Sequence, residues 1–305
     1  MKDSAMRWAL SMGPGAALEL ARPDAEFSVH SAFPGTVNLQ RRGSPLLVAF
    51  GGPESWLLPH AVAMDRPLGL LAPGSPVRRE GERIMLEGIT VDLTTACRQP
   101  LRKLPRVHGL PASLGPCAAR LRHLQLASGH DLRWGQPVDV DPPLSPMGLR
   151  LEAAVRAFLE RHSAVHDLVG LGVGLTPSGD DFLCGFLAGL RCRGQVLGVD
   201  LEAGLGATGD ISASLLRWAG LGYWPEPLID LAVAMVGEQA SEAVLALEVL
   251  CTLGHTSGAD MATGLFSGLQ LHRSPTCPSS ILATPSLISE KGVLHWITSH
   301  AWRFT

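Results

Sequence analysis

The chain has 305 residues, of which 46% are hydrophobic and 17% are charged, and its formal net charge is −3. This composition predicts a globular protein with a well-buried core and excludes global disorder. Charges of both signs are scattered along the chain, so the sequence lacks the basic surface that nucleic-acid binding requires.

No apolar run approaches the roughly 18–20 residues that a helix needs to span a bilayer. Residues 1–21 include a partly apolar stretch, but Met12-Gly-Pro-Gly15 and Glu19 interrupt it, which makes it a poor signal peptide. We therefore expect a cytoplasmic protein.

The first 110 residues contain short apolar or alternating segments that are bounded by Gly, Pro and charged turn residues. The predicted strands are 27–30, 36–39, 45–50, 83–87 and 89–93. Several short strands at such spacing predict a small antiparallel sheet or barrel.

The pattern changes after Pro105, where apolar residues recur at helical spacing. The predicted helices are 114–128, 149–162, 180–193, 211–221, 227–237, 240–253 and 259–271. We therefore predict an α+β fold. It has a β-rich N-terminal sheet or small barrel over residues 1–110, an all-α domain over 111–272 and an irregular, Pro/Ser-rich tail over 273–305.

The helical part contains an internal repeat. The motif Ser178-Gly-x-Asp-x-x-x-Gly-x-x-x-Gly-Leu190 recurs 79 residues later as Ser257-Gly-x-Asp-x-x-x-Gly-x-x-x-Gly-Leu269. The repeat predicts two helices related by an approximate internal two-fold axis. The Gly-x-x-x-Gly stripes predict close packing of these helices against each other or against a neighbour, because interior glycines otherwise cost a helix about 1 kcal/mol each.

Each half of the repeat places hydroxyl residues and a glycine at a helix N-terminus. A Ser or Thr there can accept a hydrogen bond from a free amide of the first turn, and the glycine lets another group approach the backbone. Free amides and the positive end of the helix dipole bind carboxylate or phosphate. The sequence therefore predicts a ligand site between two helix N-termini, and the alternative is two capped helices that cross tightly in a core. The predicted ligand contacts are Gly172, Gly174, Thr176, Ser178, Gly179, Thr256, Ser257 and Gly258.

The acidic residues of the repeat are candidates for chemistry. Asp180, Asp181 and Asp260 could hold Mg²⁺, which takes carboxylate ligands and keeps its waters. Only Asp181 has a counterpart in the second half, so we expect it to point into the site and Asp180 to serve as a cap or a solvent contact. We predict Asp181, Asp260 and His255 as catalytic residues, because a histidine suits proton transfer near neutral pH. The alternative role of His255 is to cap the C-terminal end of helix 240–253.

These motifs carry a family resemblance. The string Gly172-x-Gly-Leu-Thr-Pro-Ser-Gly-Asp-Asp-Phe-Leu183, followed by Gly254-His-Thr-Ser-Gly-x-Asp260, resembles a bacterial family that includes the third subunit of oxamate carbamoyltransferase from anaerobic allantoin degradation. Between the motifs, the segment that starts at Ile211-Ser212 resembles the family's middle helix, which adds Ser212 to the candidate ligand contacts. The family usually has a Thr-Thr pair before this helix, where this chain has Thr208-Gly209.

The resemblance runs from about residue 28 to residue 271 and is weaker in the β-rich part. Asn38 lies in that weaker part. We include Asn38 among the candidate ligand contacts, and its alternative role is hydrogen bonding at a strand edge.

The resemblance implies a subunit of a transcarbamoylase-type assembly that moves a carbamoyl group between phosphate and the nitrogen of oxamate or a related amide. It also implies two partners, an acyl-CoA-synthetase-like subunit and a second subunit. Ordinary transcarbamoylases bind carbamoyl phosphate through a Ser-Thr-Arg-Thr loop, which this chain lacks, so the chemistry would be organised differently.

Three functions fit the sequence. The first is an enzyme subunit that binds a small anion such as oxamate, carbamoyl phosphate or phosphate at the paired helix starts. The second is a non-catalytic scaffolding or regulatory subunit that binds partner chains. The third is a metal-dependent hydrolase that uses the three aspartates.

Overall fold

The computed structural model describes residues 5–22, 25–133, 143–161, 165–197, 200–237, 239–271 and 282–283. These residues form two units. The first comprises the described residues of Met1–Arg102 together with Leu221–Glu226, and the second comprises those of Lys103–Gly220 and Pro227–Ile288. The predicted tail 273–305 lies outside the described residues apart from Leu282–Ala283.

The first unit is a closed β-barrel. Its strands are β1 (Ala5–Met12), β2 (Phe27–Ala32), β3 (Thr36–Arg41), β4 (Leu47–Gly51), β5 (Ala61–Met64), β6 (Pro76–Glu80), β7 (Arg83–Leu86) and β8 (Ile89–Asp92). They follow the order β5-β4-β3-β2-β6-β7-β8-β1, and β1 also pairs with β5, which closes the sheet. A short strand, β9 (Cys97–Arg98), pairs in parallel with the end of β1. The predicted β-rich N-terminal part is thus confirmed as an eight-stranded barrel.

Strand β1 closes the barrel because its two halves have different partners. Its first four residues pair in parallel with β8, and the residues from Ala9 onward pair antiparallel with β5, with a register shift after Ala9. This strand is absent from the sequence-based prediction, which treats its apolar run only as a poor signal peptide. Helix α1 (Pro14–Leu20) follows it, and Ala16 and Leu20 of that helix join the apolar interior of the barrel.

The second unit is helical. Its helices are α2 (Leu114–Ala127), α3 (Pro146–Arg161), α4 (Val165–Leu168), α5 (Ser178–Cys192), α6 (Asp210–Gly220), α7 (Glu226–Val236), α8 (Ala240–Cys251) and α9 (Ser257–Gln270). A short antiparallel pair joins β10 (Val196–Leu197) to β11 (Leu282–Ala283). The α+β fold class is thus confirmed. No helix in the part of the chain that the structure describes is long and apolar enough to cross a membrane.

Helices α5 and α9 form the centre of the helical unit. Nearly every residue of both helices is buried, which is the pattern of a core helix rather than of an amphipathic surface helix. Three phenylalanines pack beside them: Phe158 of α3 lies edge-on to Phe186 of α5, with ring centroids 4.9 Å apart, and Phe182 stacks on Phe186. The central position of these helices fixes the two motifs inside the unit.

The four glycines of the two Gly-x-x-x-Gly stripes let α5 and α9 touch backbone to backbone. A Cβ atom at Gly185 would lie closer than 3 Å to the carbonyl oxygen of Met261, and one at Gly264 would lie that close to the carbonyl oxygen of Phe182. Gly189 and Gly268 are in the same relation to Leu265 and Phe186. Each contact has its counterpart 79 residues along the chain, so the predicted packing of the two stripes is confirmed. The two-fold relation of the whole repeat stays a prediction.

The first prediction concerns this crossing. Gly185→Ala should lower the free energy of unfolding by about 3 kcal/mol or more, because the new methyl group meets a backbone oxygen that cannot turn away. The control is Gly115→Ala in α2, where nothing lies within 4 Å of the added Cβ. That change should be neutral or stabilise by up to about 1 kcal/mol, as alanine favours a helix over glycine. Urea denaturation measures both; similar values for the two variants would contradict the close crossing.

Candidate functional site at the starts of α5 and α9

The first turns of α5 and α9 lie against each other. The hydroxyl oxygens of Thr176, just before α5, and Ser257, the first residue of α9, are 3.0 Å apart and share a hydrogen bond. The Ser257 hydroxyl also lies beside Asp181 of α5, and the Ser178 hydroxyl lies beside Asp260 of α9. At this end, a hydroxyl group of each helix therefore lies beside a carboxyl group of the other helix.

These contacts between the two helices take the place of the side-chain capping that the sequence predicted. The N-cap residues are Pro177 for α5 and Thr256 for α9, and neither makes a side-chain hydrogen bond to its own helix. The prediction that Ser and Thr cap these helices is therefore wrong. The hydroxyl groups face the neighbouring helix because the glycine crossing brings its carboxyl groups within reach.

Asp181 and Asp260 are two buried acids without good hydrogen bonds. Asp181 is 0% exposed and Asp260 is 1% exposed. Within the described part of the chain, none of their four carboxylate oxygens has a partner at hydrogen-bond distance and angle. The nearby hydroxyl groups face them at poorer geometry. Buried polar atoms are rarely left in this state, because an unpaired buried carboxylate is costly.

Burial shifts both acids toward the protonated form. Burial raises the pKa of Asp181 well above its usual range, and the Asp260 carboxylate raises it further, while the Ser257 and Thr176 hydroxyls act in the opposite direction. Burial raises the pKa of Asp260 to about 7, with the Ser178 and Thr256 hydroxyls opposing the shift. Both shifts favour the protonated form, and the shift of Asp260 brings its titration near neutral pH.

Asp180, the residue before Asp181, has a different role. Its Oδ1 accepts a hydrogen bond of 2.8 Å from the backbone amide of Gly170, and its Oδ2 accepts from Thr208 Oγ1 at 2.5 Å and Ser212 Oγ at 2.7 Å. Asp180 is fully buried. It ties the loop before α5 and the start of α6 to the core, so the expected cap or solvent role is corrected. Thr208 makes this bond next to a glycine, where the family usually has a second threonine.

Ser212 and Asn38 both make hydrogen bonds within the protein. Ser212 is fully buried, and its hydroxyl donates to Asp180. Asn38 lies in the barrel on β3, 5% exposed, and its amide donates to Ser31 Oγ on the paired strand β2 at 3.0 Å. Both residues thus have partners within the protein, and their role as ligand contacts stays a prediction.

The glycines at the two helix starts lie against the backbone of the segments that precede each helix. A Cβ at Gly179 would meet the carbonyl oxygen of Leu168, and one at Gly258 would meet that of Leu250. Their amides are also occupied, since Gly179 N donates to Leu171 O at 2.8 Å and Gly258 N donates to Leu253 O at 3.0 Å. In place of the predicted ligand access, both glycines let the preceding segment pack onto the helix start.

These contacts extend the repeat beyond the two motifs. Leu168-Val-Gly-Leu171-Gly172 and Leu250-Cys-Thr-Leu253-Gly254 occupy equivalent positions before α5 and α9. They are offset by 82 residues rather than 79, because the loop before α5 is three residues longer. The shared Leu-x-x-Leu-Gly pattern is the signal that a search allowing one gap would have found.

The longer loop contains Gly172 and Gly174. Gly172 has φ 132° and lies so close to the amide of Ser178 that a side chain would not fit. Gly174 has φ 98°, and nothing lies within 4 Å of the position that a Cβ atom would take, so only its backbone conformation requires glycine. Val173 and Leu175 on either side of it are 76% and 58% exposed.

His255 lies in the turn between α8 and α9 and is exposed. Helix α8 ends at Cys251, and the Thr252 hydroxyl donates to the carbonyl oxygen of Val249 at 2.7 Å. The ring of His255 lies 6.4 Å, between centroids, from that of His130. His255 therefore faces the loop after α2 at the edge of the acid pair.

Sequence reasoning missed two residues of that loop. His130 is 6% exposed, its Nδ1 has no hydrogen-bond partner within the described residues, and burial lowers its pKa. The Asp131 carboxylate is near enough to raise the pKa of Asp260. The only sequence signal was an adjacent His-Asp pair after Gly129, which has no repeat counterpart and gave no reason to join it to α9.

The predicted magnesium site gains no support from the geometry. Among the described residues, no group of three or more His, Cys, Asp or Glu side chains is arranged to hold a metal ion. Asp180 uses both oxygens for other bonds, which leaves only Asp181 and Asp260 of the predicted ligands. The ion stays a prediction.

Fold and site together define an α+β protein with a barrel and a helical unit whose centre holds a buried pair of acids. Residues 168–269 match the family model of oxamate carbamoyltransferase subunit AllH. This match runs from the last residue of α4 into the last turn of α9 and contains both motifs, and it confirms the resemblance that the motifs predict. The family is that of a subunit of oxamate carbamoyltransferase. No solved structure matches the chain.

The second prediction separates the roles of the three aspartates. Asp181→Asn and Asp260→Asn should each raise the free energy of unfolding at pH 8 by about 1–3 kcal/mol, because they remove a buried carboxylate that lacks good partners. The matched control, Asp180→Asn, should lower it by a similar amount, because an amide cannot accept all three hydrogen bonds of Asp180. A stabilising Asp180→Asn would contradict this division of roles.

The third prediction concerns pH. Well below pH 4, the Asp260 carboxyl is protonated in both the folded and the unfolded chain. As the pH rises toward 7, the unfolded chain loses the proton while the folded chain retains it, so wild-type stability falls by up to about 1.4 kcal/mol per pH unit from this group. Asp260→Asn lacks this loss, and its advantage over wild type should grow from pH 4 to pH 7 and then level off. Urea titrations at several pH values measure it, and a constant difference would contradict the raised pKa.

Proposed function

We propose that this chain is the subunit of an oxamate carbamoyltransferase-type complex that binds the small amide substrate between the starts of α5 and α9. The observation that carries the proposal is the pair of buried acids, Asp181 and Asp260, whose four oxygens lack good hydrogen bonds. The family match supports it, because the matched segment holds both acids.

The unpaired oxygens favour a ligand with N–H groups over a bare anion. The amides of Gly179 and Gly258 are already hydrogen-bonded, so they offer no free donors to a phosphate or carboxylate. An ionised carboxylate at Asp260 would also repel a bare anion. A primary amide instead offers two N–H donors, and oxamate carries such an amide at one end and a carboxylate at the other.

The different protonation of the two acids suits both ends of such a molecule. Burial raises the pKa of Asp181 well above its usual range and so favours its protonated form, which can donate a hydrogen bond to a ligand oxygen. Asp260, with a pKa of about 7, is available as a carboxylate that accepts from the ligand nitrogen. One acid thus donates and the other accepts.

Asp260 would also serve the reaction. When the amide nitrogen attacks the carbonyl carbon of carbamoyl phosphate, a C–N bond forms, the C–O bond to phosphate breaks, and phosphate leaves. The nitrogen must lose a proton, and Asp260 is a general base whose pKa is matched to neutral pH. His255, exposed beside this end of α9, could pass that proton to solvent.

The partner subunits would supply the contacts that this chain lacks. The chain has no Ser-Thr-Arg-Thr loop for carbamoyl phosphate. Leu245 and Val249 lie one turn apart on α8 and are 61% and 53% exposed, which favours a subunit contact on this helix. The same observation supports the second candidate function, a scaffolding subunit that binds partners without a substrate of its own.

The fourth prediction tests the ligand. Calorimetric titration of the chain, alone and together with the partner subunits, should show binding of oxamate but weaker or no binding of phosphate alone. Adding Mg²⁺ and replacing oxamate with carbamoyl phosphate complete the comparison. If no small molecule binds in any arm while the partner chains still do, the scaffolding function is the correct one.

Variants make this test specific. Asp260→Asn, and Ser178→Ala combined with Ser257→Ala, should weaken oxamate binding by about tenfold or more, as expected for the loss of a hydrogen bond to a charged group. Glu242→Gln removes an exposed carboxylate of α8 and should leave binding unchanged. Equal binding by Asp260→Asn and wild type would exclude the acid pair as the binding site.

A further inference from the structure

The acid pair is closed from solvent in the structure. Asp181 and Asp260 are 0% and 1% exposed. On the α5 side, the loop that leads into this helix covers Asp181 with Thr176, because the Thr176 hydroxyl lies beside Asp181 and bonds Ser257. A ligand can reach Asp181 only if some part of this cover moves.

The two halves of the repeat differ in the cover itself. Before α9, Gly254 is followed directly by His255, Thr256 and Ser257. Before α5, five residues separate Gly172 from Ser178, which is three more than the two that separate Gly254 from Ser257. The residues that make up the excess, Val173 to Leu175, are all exposed, so they add nothing to the packing of the helix start.

We infer that the loop from Gly172 to Thr176 forms a lid over Asp181, held closed by the hydrogen bond between Thr176 and Ser257. The identity of what enters rests on the proposed function, whereas the opening itself needs no ligand. The lid moves while its ends stay fixed, since Leu171 O binds the amide of Gly179 and Gly170 N binds Asp180.

The backbone of the lid suits this movement. Gly172 and Gly174 both have positive φ angles, and glycine changes between backbone regions that other residues cannot enter. Val173, Gly174 and Leu175 are exposed, so their displacement breaks little packing. Lids of this kind commonly open on the microsecond to millisecond timescale and admit the substrate. Opening would break a single hydrogen bond between Thr176 and Ser257 and would release both hydroxyl groups to the ligand.

The experiment measures access to Asp181 by carboxyl labelling. The whole chain is treated near pH 6 with a water-soluble carbodiimide and glycine methyl ester, which together convert a reachable carboxylic acid to an amide, and mass spectrometry follows each site. Asp180 is the internal reference, because it is equally buried but lies behind three hydrogen bonds. We expect Asp181 to be labelled at least about tenfold faster than Asp180, as for local rather than global opening. Equal rates would mean that unfolding admits the reagent, which would overturn the lid.

A reversible lock tests the hinge. The Thr176 and Ser257 oxygens are 3.0 Å apart, so Thr176→Cys with Ser257→Cys places two sulfur atoms close enough for a disulfide. Oxidation should slow Asp181 labelling by about tenfold or more, to the rate of Asp180, and a reductant should restore it. Unchanged labelling after oxidation would overturn the inference; Thr176→Cys alone is the control.

A deletion provides a second variant that does not depend on the new cysteines. Removal of residues 173–175 shortens the loop to the length of its counterpart before α9. Asp260 is only 1% exposed behind a loop of that shorter length, so Asp181 labelling should then be slower than in wild type, and an unchanged rate would contradict the lid. The calorimetric test with oxamate is separate. If oxamate does not bind but Asp181 labelling responds as expected, the proposed substrate is rejected and the lid is kept. If oxamate binds but Asp181 labelling does not respond, only the lid is rejected.

Discussion

Backbone rests directly on backbone where α5 and α9 cross, and the rest of the helical unit depends on that contact. Gly185 and Gly189 face carbonyl oxygens of α9, and Gly264 and Gly268 face those of α5. No side chain separates the helices at these points, so their first turns are brought close enough for groups on one helix to reach the other. A wider crossing would leave the Asp181 and Asp260 carboxyls without the neighbouring helix's hydroxyls.

The same crossing explains why the aspartates of the two motifs differ in their contacts and in their chemistry. Asp180 points away from α9 and receives three hydrogen bonds from the loop before α5 and from the segment that starts α6. Asp181, the next residue along the helix, points toward α9, where it meets hydroxyls and a second acid. The first is a structural anchor. The second belongs to a pair that costs the fold stability, and proteins retain such costs chiefly where a site requires them.

The family match is located where this chemistry lies. It runs from the last residue of α4 into α9 and includes both motifs, Asp180 with its hydrogen bonds, and both acids. The residues of the two motifs thus belong to one connected arrangement in the helical unit. Asn38, proposed from the weaker part of the resemblance, instead completes a strand pair in the barrel.

Local patterns in the sequence are enough to predict the fold class, five of the barrel strands and the packing of the two glycine stripes, because periodicity and small-residue spacing are local signals. The sequence also identified Asp181 and Asp260 as counterparts, through the ungapped offset between the motifs. It could not show β1 closing the barrel, since that depends on two distant strands accepting one partner each. It could not predict the packing role of Gly179 and Gly258, because the groups they contact are carbonyl oxygens of earlier segments. Nor could it join His130 and Asp131 to the start of α9, because they are more than 120 residues away along the chain. Which oxygens make hydrogen bonds and which stay buried without them is known only from the folded chain, because hydrogen bonding depends on distances and angles between groups that are far apart in the sequence.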